Sequence, residues 1–241
     1  MSEVLLDVQN LKTGYGDLTV VRDVSLTVRA GEITVLLGRN GAGKTTTLRA
    51  ITGLNKVQGG SVTYLGQSIA DVPSHKRVAQ GLSYVQEGKR VFHELTIEQN
   101  LLLGGFSTKQ KKRALMPKVE EIYEFFPILG EKRSLTAASM SGGQQQMLAI
   151  GQALMASPTL LILDEPSQGL APVIVKEVME RVHSLKDTGL GILLIEQAVQ
   201  DSVAIADEVA VIDMGKNVIS GKASEITVED LQAAYFGVQS H

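Results

Sequence analysis

The chain opens on alternation. Val4, Leu6 and Val8 stand at every second place, and so do Val24, Leu26 and Val28. A period of two predicts half-buried strands, and the turn-rich Gly14-Tyr15-Gly16 between the two runs predicts an antiparallel pair. Ile33-Thr34-Val35-Leu36-Leu37 is different, being apolar almost throughout, as expected of a strand covered on both faces. Ser61-Val62-Thr63-Tyr64-Leu65-Gly66, beyond Gly59-Gly60, predicts a further strand and turn, and residues 68–81 a short helix between turn residues.

After about residue 95 the period changes. Leu115, Val119, Ile122, Phe126 and Leu129 recur at helical spacing with Lys, Arg and Glu among them, so residues 96–157 are expected to be mostly helical. Short β-rich runs return at 160–163, 191–195 and 209–212, with a helical pattern over 173–186 between the first two. A strand at 218–221 and a helix at 228–235 close the chain. This order predicts an α/β fold: a parallel sheet flanked by helices, an N-terminal antiparallel β subdomain and a helical insert. With no internal repeat or low-complexity linker, residues 1–241 are expected to form one domain. Residues of about 1–95 and 158–241 would supply the core and β subdomain, and 96–157 the helical subdomain.

Composition narrows the function. With 241 residues, 44% of them hydrophobic, the chain can bury a substantial core. The net charge is −3 and no strongly basic block stands out, which offers no electrostatic case for binding nucleic acid. The absence of cysteine excludes disulfides and thiolate metal sites. No apolar run approaches the ~20 residues of a membrane span, and the N-terminus lacks a signal-peptide pattern. The expectation is a cytoplasmic protein that reaches a membrane only by docking onto something already in it.

The chemistry begins at Gly38-Arg39-Asn40-Gly41-Ala42-Gly43-Lys44-Thr45, a complete G-x-x-x-x-G-K-[ST] loop. It lies between the apolar run 33–37 and the helix-compatible run 46–54, which begins at Thr46. Strand, glycine loop and helix are the context in which this pattern binds phosphate. Glycines let backbone N–H groups turn inward, and the helix N-terminus adds unpaired donors and positive partial charge. Lys44 supplies a point charge for the outer phosphates, and the Thr45 hydroxyl can ligate magnesium. A glycine turn that binds nothing is the alternative, which Lys44 and Thr45 in register weigh against.

The run 160–163 ends in Asp164-Glu165. Two acids at the end of a buried strand are costly unless a cation or hydrogen bonds compensate. Strand ends of an open parallel sheet are where ligands bind, so Asp164 reads as part of a magnesium shell and Glu165 as the group that orients or deprotonates water. Ser141-Gly142-Gly143-Gln144 precedes an amphipathic run with Met147, Ile150 and Leu154. Ser141 is a good helix cap and the glycines expose N–H groups, a second anion-favouring helix start or simply a capped helix.

Taken together these motifs resemble the ATPase subunit of ATP-binding cassette (ABC) transporters, over nearly the whole chain and in the family's order. The resemblance implies that Tyr15 stacks on adenine, that residues 38–45 hold the phosphates, and that Ser141-Gly142-Gly143-Gln144 is the family signature, with Met140 where leucine is usual. It implies Asp164 and Glu165 as metal and catalytic acids, ATP and Mg2+ as cofactors, and head-to-tail pairing with a second ATPase subunit. Each ATP would then lie between one subunit's phosphate loop and the other's signature helix. Integral membrane permeases and an external substrate-binding protein are the further implied partners, at the cytoplasmic face of the membrane, with residues 87–104, including Phe92 and Leu95, contacting a permease.

A narrower resemblance, to the branched-chain amino acid importers, is carried by Tyr84-Val85-Gln86-Glu87-Gly88-Lys89-Arg90-Val91-Phe92, by Ser167-Gln168-Gly169-Leu170-Ala171-Pro172 and by Ile195-Glu196-Gln197. Urea importer ATPases are the nearest competitor, and a soluble ABC ATPase outside transport is the other alternative. Three positions depart from the general family pattern. The magnesium-contacting glutamine falls at Glu87 on counting back from Thr96, with Gln86 just before it, and either can serve. Gln197 stands where a switch histidine is usual; its amide can donate to phosphate but cannot carry a proton at neutral pH. Ala171 stands where aspartate is frequent. The four histidines, His75, His93, His183 and His241, read as surface residues.

Overall fold

A computed structural model describes residues 2–236; His241 lies outside them. The two alternating runs form β1 (Val4–Tyr15) and β2 (Leu18–Arg29), paired antiparallel with Val8 opposite Leu26. The reversal is made by Gly16 and Asp17, so Tyr15 belongs to the strand rather than to the turn. β3 (Ile33–Leu37) is buried at every residue and leads through the glycine loop into α1 (Lys44–Ile51). This helix starts two residues before the expected Thr46, on Lys44 itself, and stops before Gly53, whose φ of 78° is left-handed.

β4 (Val57–Tyr64) pairs antiparallel with β1, and β5 (Gln67–Ser68) adds a short edge. The helix expected over 68–81 is confined to α2 (Ser74–Ala79), because Ser68 belongs to β5 and residues 70–72 turn the chain. β6 (Leu82–Val85) was not anticipated: four residues with Ser83 among them carry too little alternation to be read as a strand. The helical segment follows as α3 (Ile97–Gly104), α4 (Lys112–Phe125), α5 (Pro127–Glu131) and α6 (Gly142–Leu154). The apolar period from Leu115 to Leu129 is cut by Pro127, which drives Phe126 out of helical geometry to φ −129° and ψ 76°.

β7 (Leu160–Asp164), α7 (Pro172–Leu185), β8 (Gly191–Glu196), α8 (Val199–Val203), β9 (Glu208–Asp213), β10 (Lys216–Lys222) and α9 (Val228–Phe236) complete the chain. The strand order is β5-β4-β1-β2-β10-β9-β3-β8-β7-β6. From β9 to β6 the strands are parallel, and β1, β2, β4 and β5 form the antiparallel end.

Two cores explain why the parallel strands are apolar throughout. Ile33, Val35, Leu161, Leu163, Ile192 and Leu194 pack on one face with the helical segment. Leu36, Leu160, Ile162, Leu193 and Ile195 pack on the other with α1 and the antiparallel strands. Successive side chains on a strand point to opposite faces, so a strand covered twice has no polar side. The parallel ends of β3, β6, β7 and β8 thereby deliver residues 38–46, 86–87, 164–168 and 197 toward one edge of the molecule.

Candidate active site

The glycine loop is held open by its own backbone. Gly43 caps α1 at φ 109° and ψ 6°, a conformation that residues with a Cβ rarely adopt. Its carbonyl accepts from the Thr47 amide at 2.8 Å and the Thr47 hydroxyl at 2.9 Å. Lys44 is buried, and its Nζ donates to the Gly38 carbonyl at 2.8 Å and lies 3.4 Å from Glu165 Oε1. Arg39, Asn40, Gly41, Gly43, Lys44, Thr45 and Thr46 line a cleft of about 340 Å³. Gly38 and Ala42 are buried beneath it.

Glu87, Glu165, Gln168 and Gln197 line the same cleft. Glu165 Oε2 accepts from Gln197 Nε2 at 2.6 Å and from Gln168 Nε2 at 3.2 Å. Gln86, the neighbour of Glu87, instead lines a separate groove of about 420 Å³ with Arg90, Phe92, Leu103 and Gly104. Adjacent residues leaving the end of a strand face opposite ways, so only Glu87 reaches the glycine loop. Phe92 and Phe106 are exposed beside that second groove.

Asp164 is 3% exposed at the end of β7. Its Oδ2 accepts from the Tyr84 hydroxyl at 2.8 Å, whereas its Oδ1 is buried with no hydrogen-bond partner. Burial holds its carboxyl above the usual carboxylate range against the Tyr84 hydrogen bond, and the charges of Glu165 and Glu87 push the same way. Burial also raises the Tyr84 phenol, helped by the Asp164 charge. A cleft with a glycine loop, a helix start and a lysine on one wall, and carboxylates on the other, can hold a polyphosphate together with a cation.

Other expected residues stand at its margin or apart. Tyr15 is half exposed, its hydroxyl 3.5 Å from Thr46 Oγ1, with the Arg49 guanidinium 5.9 Å from the ring centre. Ser141, Gly142, Gly143 and Gln144 are not among the residues lining the cleft; they begin α6. Ser141 Oγ accepts from the Gln144 amide at 3.3 Å while Gln144 Oε1 accepts from the Ser141 amide at 3.2 Å, a reciprocal capping box. A Cβ on Gly143 would lie 2.2 Å from Ile174 Cγ2, so glycine is what lets α6 approach α7. Ala171 caps α7. His75, His93 and His183 are exposed, as expected.

The model of the ABC transporter family matches residues 21–168, which span the glycine loop, the Ser141–Gln144 helix start and the acid pair. The chain belongs to the ABC transporter ATP-binding family. Among its relatives, the high-affinity branched-chain amino acid transport ATP-binding protein BraG of Pseudomonas aeruginosa is 39% identical over 97% of this chain and 100% of its own length. The lipopolysaccharide export ATP-binding protein LptB of Haemophilus influenzae is 32% identical over 98% of each. The ADP conformation of MJ1267, an ATP-binding cassette of an ABC transporter, superposes with a TM-score of 0.87 at 26% identity, covering 97% of this chain and 95% of that one.

The chain is therefore an ABC-type ATPase and an ATP-binding subunit of a transporter. Three residues of this ATPase escaped the sequence reading. Tyr84 touches Asp164 only because β6 pairs with β7. Gln168 and Glu196 sit inside stretches that attracted notice as motifs, yet their contacts with Glu165 and with the backbone leave no local pattern.

Proposed function

We propose that this subunit hydrolyses MgATP in the cleft beside the glycine loop to drive import of branched-chain amino acids. In this reading residues 38–46 hold the phosphates, with Lys44 on the outer ones, and Tyr15 stacks on adenine. Mg2+ is held by Thr45, Asp164 and Glu87. The unpartnered, buried Asp164 Oδ1 is the observation that carries the cation, since a buried acceptor without a donor is what a hard cation's water shell or the cation itself would satisfy. Glu165 orients and deprotonates the attacking water, with Gln197 in the place of a switch histidine.

Ser141, Gly142, Gly143 and Gln144 act on the ATP of a second ATPase subunit, whose own glycine loop faces them in a head-to-tail dimer. Their position away from the cleft in one chain supports this division, because a single subunit then holds two half-sites. The groove containing Gln86, flanked by exposed Phe92 and Phe106, receives an integral membrane permease. No helix among the described residues is long and apolar enough to cross a membrane, which fits a peripheral subunit carried by its permease at the cytoplasmic face. An external substrate-binding protein joins through the assembly. Residues 1–241 act as one domain, with 96–157 as its helical subdomain.

The substrate rests on the likeness to BraG, which exceeds that to LptB by 39% against 32% identity. The test is affinity purification of a tagged Glu165→Gln chain from detergent-solubilised native membranes with ATP, followed by transport assays on the partners recovered. Two multi-span permeases, a second ATPase and ATP-dependent leucine uptake are expected. Lipopolysaccharide-export or urea-transport partners would replace the substrate, and soluble partners alone would remove the transport reading.

A further inference from the structure

Among the described residues two carboxylates are buried, Asp164 and Glu196. Asp164 belongs to the site above. Glu196 ends β8, is 2% exposed, and has no part in the chemistry so far. Its Oε1 accepts from the Ser167 amide at 2.9 Å and its Oε2 from the Gln197 amide at 3.2 Å. Burial raises its carboxyl, and the Ser167 and Gln197 donors oppose that rise.

The two amides belong to the two segments that hold Glu165. Ser167 is followed by Gln168, and the Gln168 and Gln197 side chains both donate to Glu165 Oε2, at 3.2 Å and 2.6 Å. Glu165 itself has φ 47°, a conformation uncommon for a non-glycine residue, so the turn that carries it must be fixed by its surroundings. A carboxylate is suited to that task because both oxygens accept, one for each segment, and a side-chain amide has only one acceptor.

We propose that Glu196 is a positioning residue for hydrolysis: it ties the backbones of Ser167 and Gln197 together and thereby aims the two amides that hold Glu165. The proposal rests on Glu165 being the general base. Glu196 does not line the cleft and acts through Gln168 and Gln197, which do. Glu196→Gln keeps the volume and removes one of the two acceptors. Its effect is therefore expected on turnover rather than on nucleotide binding.

The experiment measures ATP hydrolysis and MgATP binding by the full-length chain in its isolated transporter assembly, for Glu196→Gln alone and combined with Gln168→Ala and Gln197→Ala. Glu196→Gln alone should lower kcat about tenfold with KM within about twofold. In the chain lacking both amides it should change kcat by less than about twofold, because the coupling it transmits is gone. Amide hydrogen exchange at Ser167 and Gln197 should accelerate in Glu196→Gln. Unchanged kcat, a change confined to KM, or the same loss in both backgrounds would overturn the proposal. If Glu196→Gln does not accumulate folded, Glu196→Asp carries the same cycle, since it keeps both acceptors on a shorter side chain that cannot span the two amides. Glu165→Gln is assayed alongside: normal turnover there retires the base reading whatever Glu196 does, and loss of turnover leaves the Glu196 result to judge positioning alone.

Discussion

Gln197 Nε2 lies 2.6 Å from Glu165 Oε2, joining the ends of two neighbouring parallel strands, β8 and β7. An amide in this place can donate a hydrogen bond but cannot take up or release a proton near neutral pH. A histidine there can pass its N–H to phosphate and gain charge as negative charge develops. Gln197→His is accordingly expected to raise kcat several-fold in the transporter assembly, with MgATP affinity little changed. Steady-state hydrolysis at saturating MgATP decides it; no gain would mean that the amide is not what limits turnover.

Glu87 and Gln86 are neighbours in sequence and serve different surfaces. Glu87 lines the cleft with Lys44 and Thr45, and Gln86 lines the groove beside Phe92. Glu87→Ala should weaken Mg2+ binding, raising the Mg2+ concentration for half-maximal hydrolysis roughly tenfold. Gln86→Ala should leave that concentration unchanged and instead reduce stimulation of hydrolysis by the permease. Titrating Mg2+ against activity for both variants separates the assignments, and an equal effect of the two would sink the division.

Much of this was legible in the chain because its signals are local. The glycine loop, the acid pair and the Ser141 cap each occupy a few consecutive residues, and β3, β7 and β8 read as buried strands because both faces are covered. What could not be read depends on pairing between distant segments. Tyr84 meets Asp164 across 80 positions, and Glu196 meets Ser167 across 29. The choice between Gln86 and Glu87 needed the direction in which the chain leaves β6, and four residues of weak alternation did not even announce that strand. The break at Phe126 was available in principle, since Pro127 excludes helical geometry for the residue before it.

Arg77 holds the end of α1 remote from the glycine loop. Its guanidinium is buried and donates to four backbone carbonyls, those of Ala50 at 2.8 Å, Ile51 at 2.6 Å, Val72 at 2.7 Å and Ala70 at 3.2 Å. Ala50 and Ile51 are the last residues of α1, where carbonyls lack helical partners and a cation is favoured. Arg77→Ala removes all four donors and leaves a void against Gly53. A loss of about 3 kcal/mol is expected, lowering Tm by roughly 6–12 °C for a chain of this size. Arg77→Lys should recover part of it, because an ammonium donates three bonds but lacks the planar fork. Thermal unfolding of the two variants tests the order; equal stability of Arg77→Ala and the parent would show that these bonds contribute nothing net.

Asp164 sets stability against function. Burial raises its carboxyl above the value it has in the unfolded chain, so the fold prefers the protonated form. A group raised in this way stabilises the fold fully below its unfolded pKa of about 3.9, and that contribution is lost as pH rises through the folded value. At pH 7.5, far above that unfolded value, the ligand-free protein therefore bears the cost of a buried carboxyl whose Oδ1 has no donor. Asp164→Asn removes the charge and keeps an acceptor for the Tyr84 hydroxyl. Without nucleotide, the variant should be more stable than the parent by about 1–3 kcal/mol at pH 7.5, and the difference should shrink as pH falls toward 4. With MgATP the order should reverse. A cation neutralising Asp164 in the parent would add binding energy to its fold, whereas the variant would gain little and hydrolyse almost nothing. Thermal unfolding across pH, with and without MgATP, reads both limbs at once. If Asp164→Asn is no more stable than the parent in the absence of MgATP, the carboxylate is not held at a cost, and its role as a metal ligand loses its physical basis.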